Sequence, residues 1–211
     1  MARRTRLVVA QCRPAAQLIL AVLAASLITP WSTFAEEHGI DSGRSTITLH
    51  VSKSGLFRAF ADNHLIQAPV TEGSFDDGPN SRIQFVVDVR GLHVLDPGLS
   101  ADQREQVQTR MLGPEVLDAD RFPQIRFQST SIERVKPDAW LVRGDLTLHG
   151  QTRAVTVKVT PGQGRYNGST SLKQTEFGIT PISIAGGTVT VKDELQIDAD
   201  IRARTKPVTE P

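Results

Sequence analysis

From Thr46 onward the chain alternates apolar and polar residues with a period of two. Ile47, Leu49 and Val51 interleave with Thr48, His50 and Ser52, and Ile83, Phe85, Val87 and Val89 interleave with Arg82, Gln84, Val86 and Asp88. The alternation returns at Ile125 and Phe127, at Trp140, Val142, Leu146 and Leu148, at Val155, Val157 and Val159, and at Val189, Val191, Leu195, Ile197 and Ile201. Successive side chains of a strand point to opposite faces, so each run predicts a strand with one apolar face. His149-Gly150-Gln151 and Pro161-Gly162-Gln163-Gly164 supply the glycines that tight connections need, and both predict hairpins. Strands joined this way are antiparallel, and an antiparallel sheet with one oily face must pack on a second sheet or close on itself. The expected fold is all-β, an antiparallel barrel.

One segment breaks the pattern. After the turn Asp96-Pro97-Gly98, Ser100 stands where an N-cap belongs, with Gln103 three residues on, and Ala101–Leu112 stops at Gly113-Pro114. That predicts one short capped helix. Its apolar residues Val107 and Met111 are four apart with few companions, so the helix is expected over a barrel mouth or edge, outside the core, as a lid or a connector.

The ends of the chain read differently. Arg3, Arg4, Arg6 and Arg13 precede the apolar run Ala15–Ile28, and Thr33-Phe34-Ala35 offers small residues for cleavage, so residues 1–35 read as a secretory signal peptide. The run falls short of the roughly 20 residues that a spanning helix needs. Residues 36–44 are polar with two glycines and read as a flexible lead-in, residues 45–203 as the barrel domain, and residues 204–211 as a flexible tail. The expected location is periplasmic or secreted. Cleavage takes four arginines and no acids, so the 24 basic residues become 20 against 23 acidic ones, a net of −3. No basic stripe remains to follow a phosphate backbone, and nucleic acid is not an expected partner. No stable membrane anchor is expected either.

The chemistry of the side chains is sparse. The single cysteine, Cys12, lies in the signal, so the mature chain has no thiol for a disulfide, a nucleophile or a metal site. Gly-x-Ser-x-Gly, His-Glu-x-x-His and Walker-type glycine loops are absent, and no enzymatic activity or cofactor is expected. His38, His50, His64, His93 and His149 are scattered, and a metal site would need His50, His64 or His93 to meet in three dimensions. Asp198 and Asp200 share a strand face with Glu194 and Gln196, opposite the apolar set, and read as an outer wall.

Two motifs carry a resemblance. Asp118-Ala119-Asp120-Arg121-Phe122-Pro123-Gln124-Ile125-Arg126-Phe127-Gln128-Ser129-Thr130 resembles the acidic-aromatic-Pro-x-Ile-x-Phe-x-Ser-Thr segment of the YceI family. Gly144-Asp145-Leu146-Thr147-Leu148-His149-Gly150-Gln151-Thr152 is similar to that family's Gly-x-Leu-Thr-x-His-Gly-x-Thr hairpin, with a Val-x-Val strand behind it. The resemblance covers about Ser45 to Ile201 and takes in Phe177-Gly178-Ile179. The chain departs from the family at Phe60-Ala61-Asp62-Asn63-His64, where only the histidine of a Gly-His pair survives, and at Pro114-Glu115-Val116-Leu117, which replaces an Asp-Phe-Phe sequence.

The resemblance implies a lipocalin-like barrel whose apolar bore holds an isoprenoid or other long-chain amphiphile, in a homodimer. Phe57, Phe60, Phe85, Phe127, Trp140, Leu146, Phe177 and Ile179 are the candidate apolar wall, and Arg58, His64 and Arg121 the candidate polar mouth. A small barrel either fills its interior with side chains or leaves room for a ligand. The alternative to a carrier is therefore a filled, stress-related interaction module without a small-molecule ligand.

Overall fold

The short polar-apolar repeats form fourteen strands and one α-helix in the computed structural model, which describes residues 37–54, 64–76, 81–184 and 189–204. The strands are β1 (Glu37–Gly39), β2 (Thr46–Val51), β3 (Lys53–Ser54), β4 (His64–Pro69), β5 (Glu72–Asp76), β6 (Arg82–Asp88) and β7 (His93–Val94), followed by α1 (Ala101–Leu112). Then come β8 (Gln124–Lys136), β9 (Ala139–Leu148), β10 (Gln151–Pro161), β11 (Arg165–Lys173), β12 (Ser183–Ile184), β13 (Val189–Val191) and β14 (Glu194–Arg202). Eleven of them join one antiparallel sheet in the order β1-β5-β6-β8-β9-β10-β11-β14-β2-β4-β7, and β12-β13-β3 make a small second sheet. The compact unit that contains them runs from Phe34 to Pro211.

The large sheet is strongly curled, and the chain itself shows why. β4 and β5 stand near opposite ends of the strand order, yet only Val70 and Thr71 separate them in sequence. β4 pairs with β2, β5 pairs with β6, and the Thr71 amide donates to the Val86 carbonyl at 2.9 Å. An additional antiparallel bridge joins Ile40, just after β1, to Ala203, just after β14. Val70, at the corner, is 2% exposed.

The β9–β10 connection has the expected tight geometry. Leu148 pairs with Gln151, so the loop is His149-Gly150, and both residues have positive φ, 50° and 71°. Positive φ at both central positions matches the right-handed twist of the flanking strands, which is why glycine is needed at the second. His149 tolerates its own strained backbone because its ring is held by Phe122 at a centroid distance of 4.6 Å and its Nδ1 lies 3.2 Å from the Phe177 carbonyl.

Three expectations about the framework are corrected. Residues 37–40 are not a loose lead-in: β1 pairs with β5, and Ile40 is 1% exposed inside the core. Two glycines and charged neighbours mask a single buried isoleucine there. Arg204, expected in the tail, is held to the sheet, because its amide donates to the Gly39 carbonyl at 2.7 Å. The helix also reaches the core after all, through Met111, although its N-terminal capping box of Ser100 and Gln103 forms as the sequence indicates. The expected signal peptide and residues 205–211 of the tail lie outside the described residues.

Candidate ligand-binding cavity

The inward faces of the long strands are largely apolar, and together these faces enclose empty space. β2 contributes Ile47, Leu49 and Val51, β6 contributes Ile83, Phe85 and Val87, β9 contributes Trp140, Val142, Leu146 and Leu148, and β14 contributes Leu195, Ile197, Ala199 and Ile201. The space measures about 520 Å³. That falls within the roughly 300–1,000 Å³ of small-molecule sites.

Side-chain size explains why room is left. In register, Phe85 faces Phe127 and Phe127 faces Leu146, a row of large residues across β6, β8 and β9. The two phenylalanine rings stack at 5.2 Å. On the other side of the strand order, Gly168 pairs with Ala199, Ala199 with Ile47, and Ile47 with Ala68, so three of four residues across β11, β14, β2 and β4 are small. A closely packed interior would need bulk on both rows. Gly144 is a separate device: a Cβ there would lie 2.6 Å from both the Phe127 ring and the Gln128 carbonyl, so only glycine lets Phe127 settle against β9.

The two ends of the cavity differ. At one end Phe75, Tyr166 and Trp140 form an aromatic cluster, with Phe75–Tyr166 centroids 5.1 Å apart and Tyr166–Trp140 5.9 Å apart. His38 stacks on Phe75 at 5.3 Å, and Arg134 lies 5.2 Å from the Trp140 ring centroid. At the other end α1 and the segment around Gln174–Ile182 contribute Val107, Met111, Gln174, Ile179 and Ile182. The latter segment contains a 3-10 turn, Gln174–Phe177, fixed by Asp193, whose carboxylate accepts from the Thr175 amide at 2.9 Å and from its hydroxyl at 2.7 Å. Those two hydrogen bonds, amide first, hold the Asp193 carboxyl below its ordinary pKa.

His64 lines the α1 end. It belongs to the inward set of β4 with Ile66 and Ala68, and its Nδ1 is hydrogen-bonded to Asp96 Oδ2. The other Asp96 oxygen accepts from the Leu65 amide at 2.6 Å, and the Asp96 carbonyl accepts from Arg104 at 3.3 Å. The two side chains are 14% and 3% exposed, so this polar pair is sunk into the wall of an oily chamber.

Of the sequence-nominated residues, the structure brings Phe85, Phe127, Trp140, Leu146, Ile179 and His64 to the cavity. Two nominated residues are placed outside the cavity lining. Phe177, in the 3-10 turn, is wholly buried at 0% exposure, packs in the core and does not line the cavity. Arg121 is 75% exposed, lies 5.0 Å from the Phe122 ring centroid and pairs with Asp118 at 3.7 Å, away from the cavity. Phe57, Arg58 and Phe60 lie outside the described residues. Phe75, Tyr166 and Asp96 were not legible as site residues. Tyr166 stands in a strand whose inward positions are otherwise Gly168, Thr170 and Leu172, and Asp96 sits in an Asp-Pro-Gly turn that gives no sign of reaching back to His64.

The other histidines point elsewhere. His50 is on the outer face of β2, 3.0 Å from Asp198, so it cannot meet His64 across the sheet. Among the described residues no group of three or more His, Cys, Asp or Glu side chains gathers. The outer face also carries the expected polar set, with Asp200 accepting two hydrogen bonds from Arg165 at 2.8 Å each.

This arrangement of a curled antiparallel sheet, a capped helix and an apolar interior matches a known family. The model of the YceI-like domain matches residues 39–203. The chain belongs to the YceI-like domain family. A UPF0312 protein of Shewanella denitrificans is 26% identical over 192 residues, which cover 86% of this chain and 96% of that protein. A UPF0312 protein of Pseudomonas putida (strain W619) is 36% identical over 75 residues, 31% of this chain and 39% of that protein. Among solved structures, BcnA of Burkholderia cenocepacia superposes with a TM-score of 0.57 at 22% identity, covering 79% of this chain and 99% of BcnA. A polyisoprenoid-binding domain from Saccharophagus degradans superposes with a TM-score of 0.54 at 11% identity, covering 80% and 98%. At such identities the two structures share the fold with this chain.

Proposed function

We propose that this YceI-like protein is an exported carrier that holds an isoprenoid-like or other long-chain amphiphile by burial, with no covalent step. The single observation behind this is the unfilled apolar interior of about 520 Å³. A chain entering such a space gains about 0.8 kcal/mol per methylene group taken out of water, less the cost of association and ordering. The match to a polyisoprenoid-binding domain of the same fold agrees with the reading. So does a closed, lipocalin-like barrel, which the two-residue link between β4 and β5 and the Ile40–Ala203 bridge both favour. The filled-module alternative calls for an interior packed at crystal-like density, and the row of small residues works against it.

The test is extraction of the purified protein with organic solvent followed by mass spectrometry, beside a fluorescent-lipid displacement assay. The wild type yields an amphiphile and binds the probe. Ala199→Trp, which fills the cavity from its small-residue side, retains a cooperative melt and loses binding at least tenfold. A wild-type protein that yields no amphiphile and displaces no probe overturns the reading.

A further inference from the structure

The apolar cavity is lined by a histidine whose orientation by a buried carboxylate the fold alone does not require. The Asp96 carboxylate, 3% exposed, is fully engaged: one oxygen takes the Leu65 amide and the other takes His64 Nδ1. An ionised carboxylate only accepts hydrogen bonds, so the proton of this contact sits on Nδ1, and an imidazole carrying that single proton presents its lone pair on Nε2. Nε2 is at the tip of the ring, and His64 is in the inward set of β4, so that lone pair is carried toward the interior. No hydrogen bond to Nε2 is found among the described residues.

Several other polar groups at the cavity are committed elsewhere. Thr170 donates to the Thr156 carbonyl, Gln174 Nε2 to the Lys192 carbonyl, and Gln103 is taken up by the helix cap. Arg110 pairs with Glu115 at 3.0 Å, and Asp76, Ser81 and Tyr166 have partners of their own. A polar acceptor facing an apolar cavity loses its hydrogen bond to water when an apolar guest fills the space, and regains one only if the guest donates. Orienting a histidine by a buried carboxylate fixes the ring tautomer and presents the other nitrogen in a set direction.

We propose that His64, held by Asp96, is the polar anchor of the cavity and selects amphiphiles that carry a hydrogen-bond donor, a hydroxyl above all, at the end of the apolar chain. The inference rests on the carrier reading and names the ligand class for it. A ligand of the same shape without a donor leaves Nε2 unsatisfied and is disfavoured. Asp96→Asn inverts the logic without changing shape: the amide oxygen still takes the Leu65 amide, while the amide nitrogen donates to Nδ1 and moves the ring proton to Nε2. The anchor then donates and no longer accepts.

The experiment compares farnesol with farnesyl methyl ether, two probes that differ in the donor, by displacement of a fluorescent lipid from the wild type and from Asp96→Asn. The wild type binds farnesol about tenfold more tightly, and Asp96→Asn loses that preference while its affinity for the ether is kept or improved. Equal affinities in the wild type, or an unchanged preference in a folded Asp96→Asn, overturn the inference and leave the carrier reading standing. Binding of neither probe overturns the carrier reading and this inference with it. Should Asp96→Asn fail to fold, nitrogen-15 spectra of the wild-type imidazole decide the matter: the Nε2 resonance moves with farnesol and stays with the ether, and a resonance unmoved by farnesol refutes the anchor.

Discussion

Single residues set the shape of the cavity where strands approach most closely. Gly144 lies under the Phe127 ring, and both contacts that an added Cβ would meet are at 2.6 Å, one of them to backbone. Backbone cannot step aside as a flexible side chain can. Gly144→Ala is therefore expected to destabilise the fold by about 1–3 kcal/mol, as overpacking of a filled site does, measured as a lower urea midpoint with an unchanged slope. The residue scale is also where reading the sequence worked least evenly. Phe85, Phe127, Trp140 and Leu146 are visible because they are large and stand on an alternating face. Phe177 and Ile179 are two apart, equally apolar and both buried, yet across the 3-10 turn before Gly178 only Ile179 also lines the cavity. A period of two cannot report a turn that breaks it. Asp96 was hidden for another reason, since its partner is 32 positions away and nothing local in Asp-Pro-Gly separates an anchored carboxylate from an exposed one.

Among the elements, those with a strict rhythm or a strong cap were legible. β2, β6, β9, β10 and β14 follow the alternation, and α1 spans the residues its capping box and Gly113-Pro114 delimit. The cap is accordingly a place to perturb one element alone. Ser100→Ala removes the acceptor for the Gln103 amide and is expected to cost about 0.5–2 kcal/mol. Because α1 touches the core chiefly through Met111, the loss should appear as faster amide exchange across the helix, with β8–β10 protected as before; uniform loss of protection would contradict this. β4 and β5 were missed, and their chemistry shows why. Inward residues fall on even positions through Val70 and on odd ones at Gly73 and Phe75, so the bend that curls the sheet also resets the pattern. β11 was missed because its inward row is built from Gly168 and Thr170, whose value to the molecule is the volume they do not occupy.

For the molecule as a whole, alternation told which faces turn inward but not how much space they leave, because that depends on which large and small residues the register brings together. The expectation of export is also a property of the whole chain. Amino-terminal sequencing of protein recovered from outside the cytoplasm should begin at Glu36, and an intact mass that retains residues 1–35 would refute cleavage at that point. One feature of the topology bears on when a guest can enter. β14, the last strand of the described chain, lies between β11 and β2, and β2 is nearly the first. Such long-range pairing waits on the whole polypeptide. A nascent chain emerging amino end first leaves its chamber with a missing stave until the final strand arrives, so on the carrier reading proposed above a guest settles only into the finished protein.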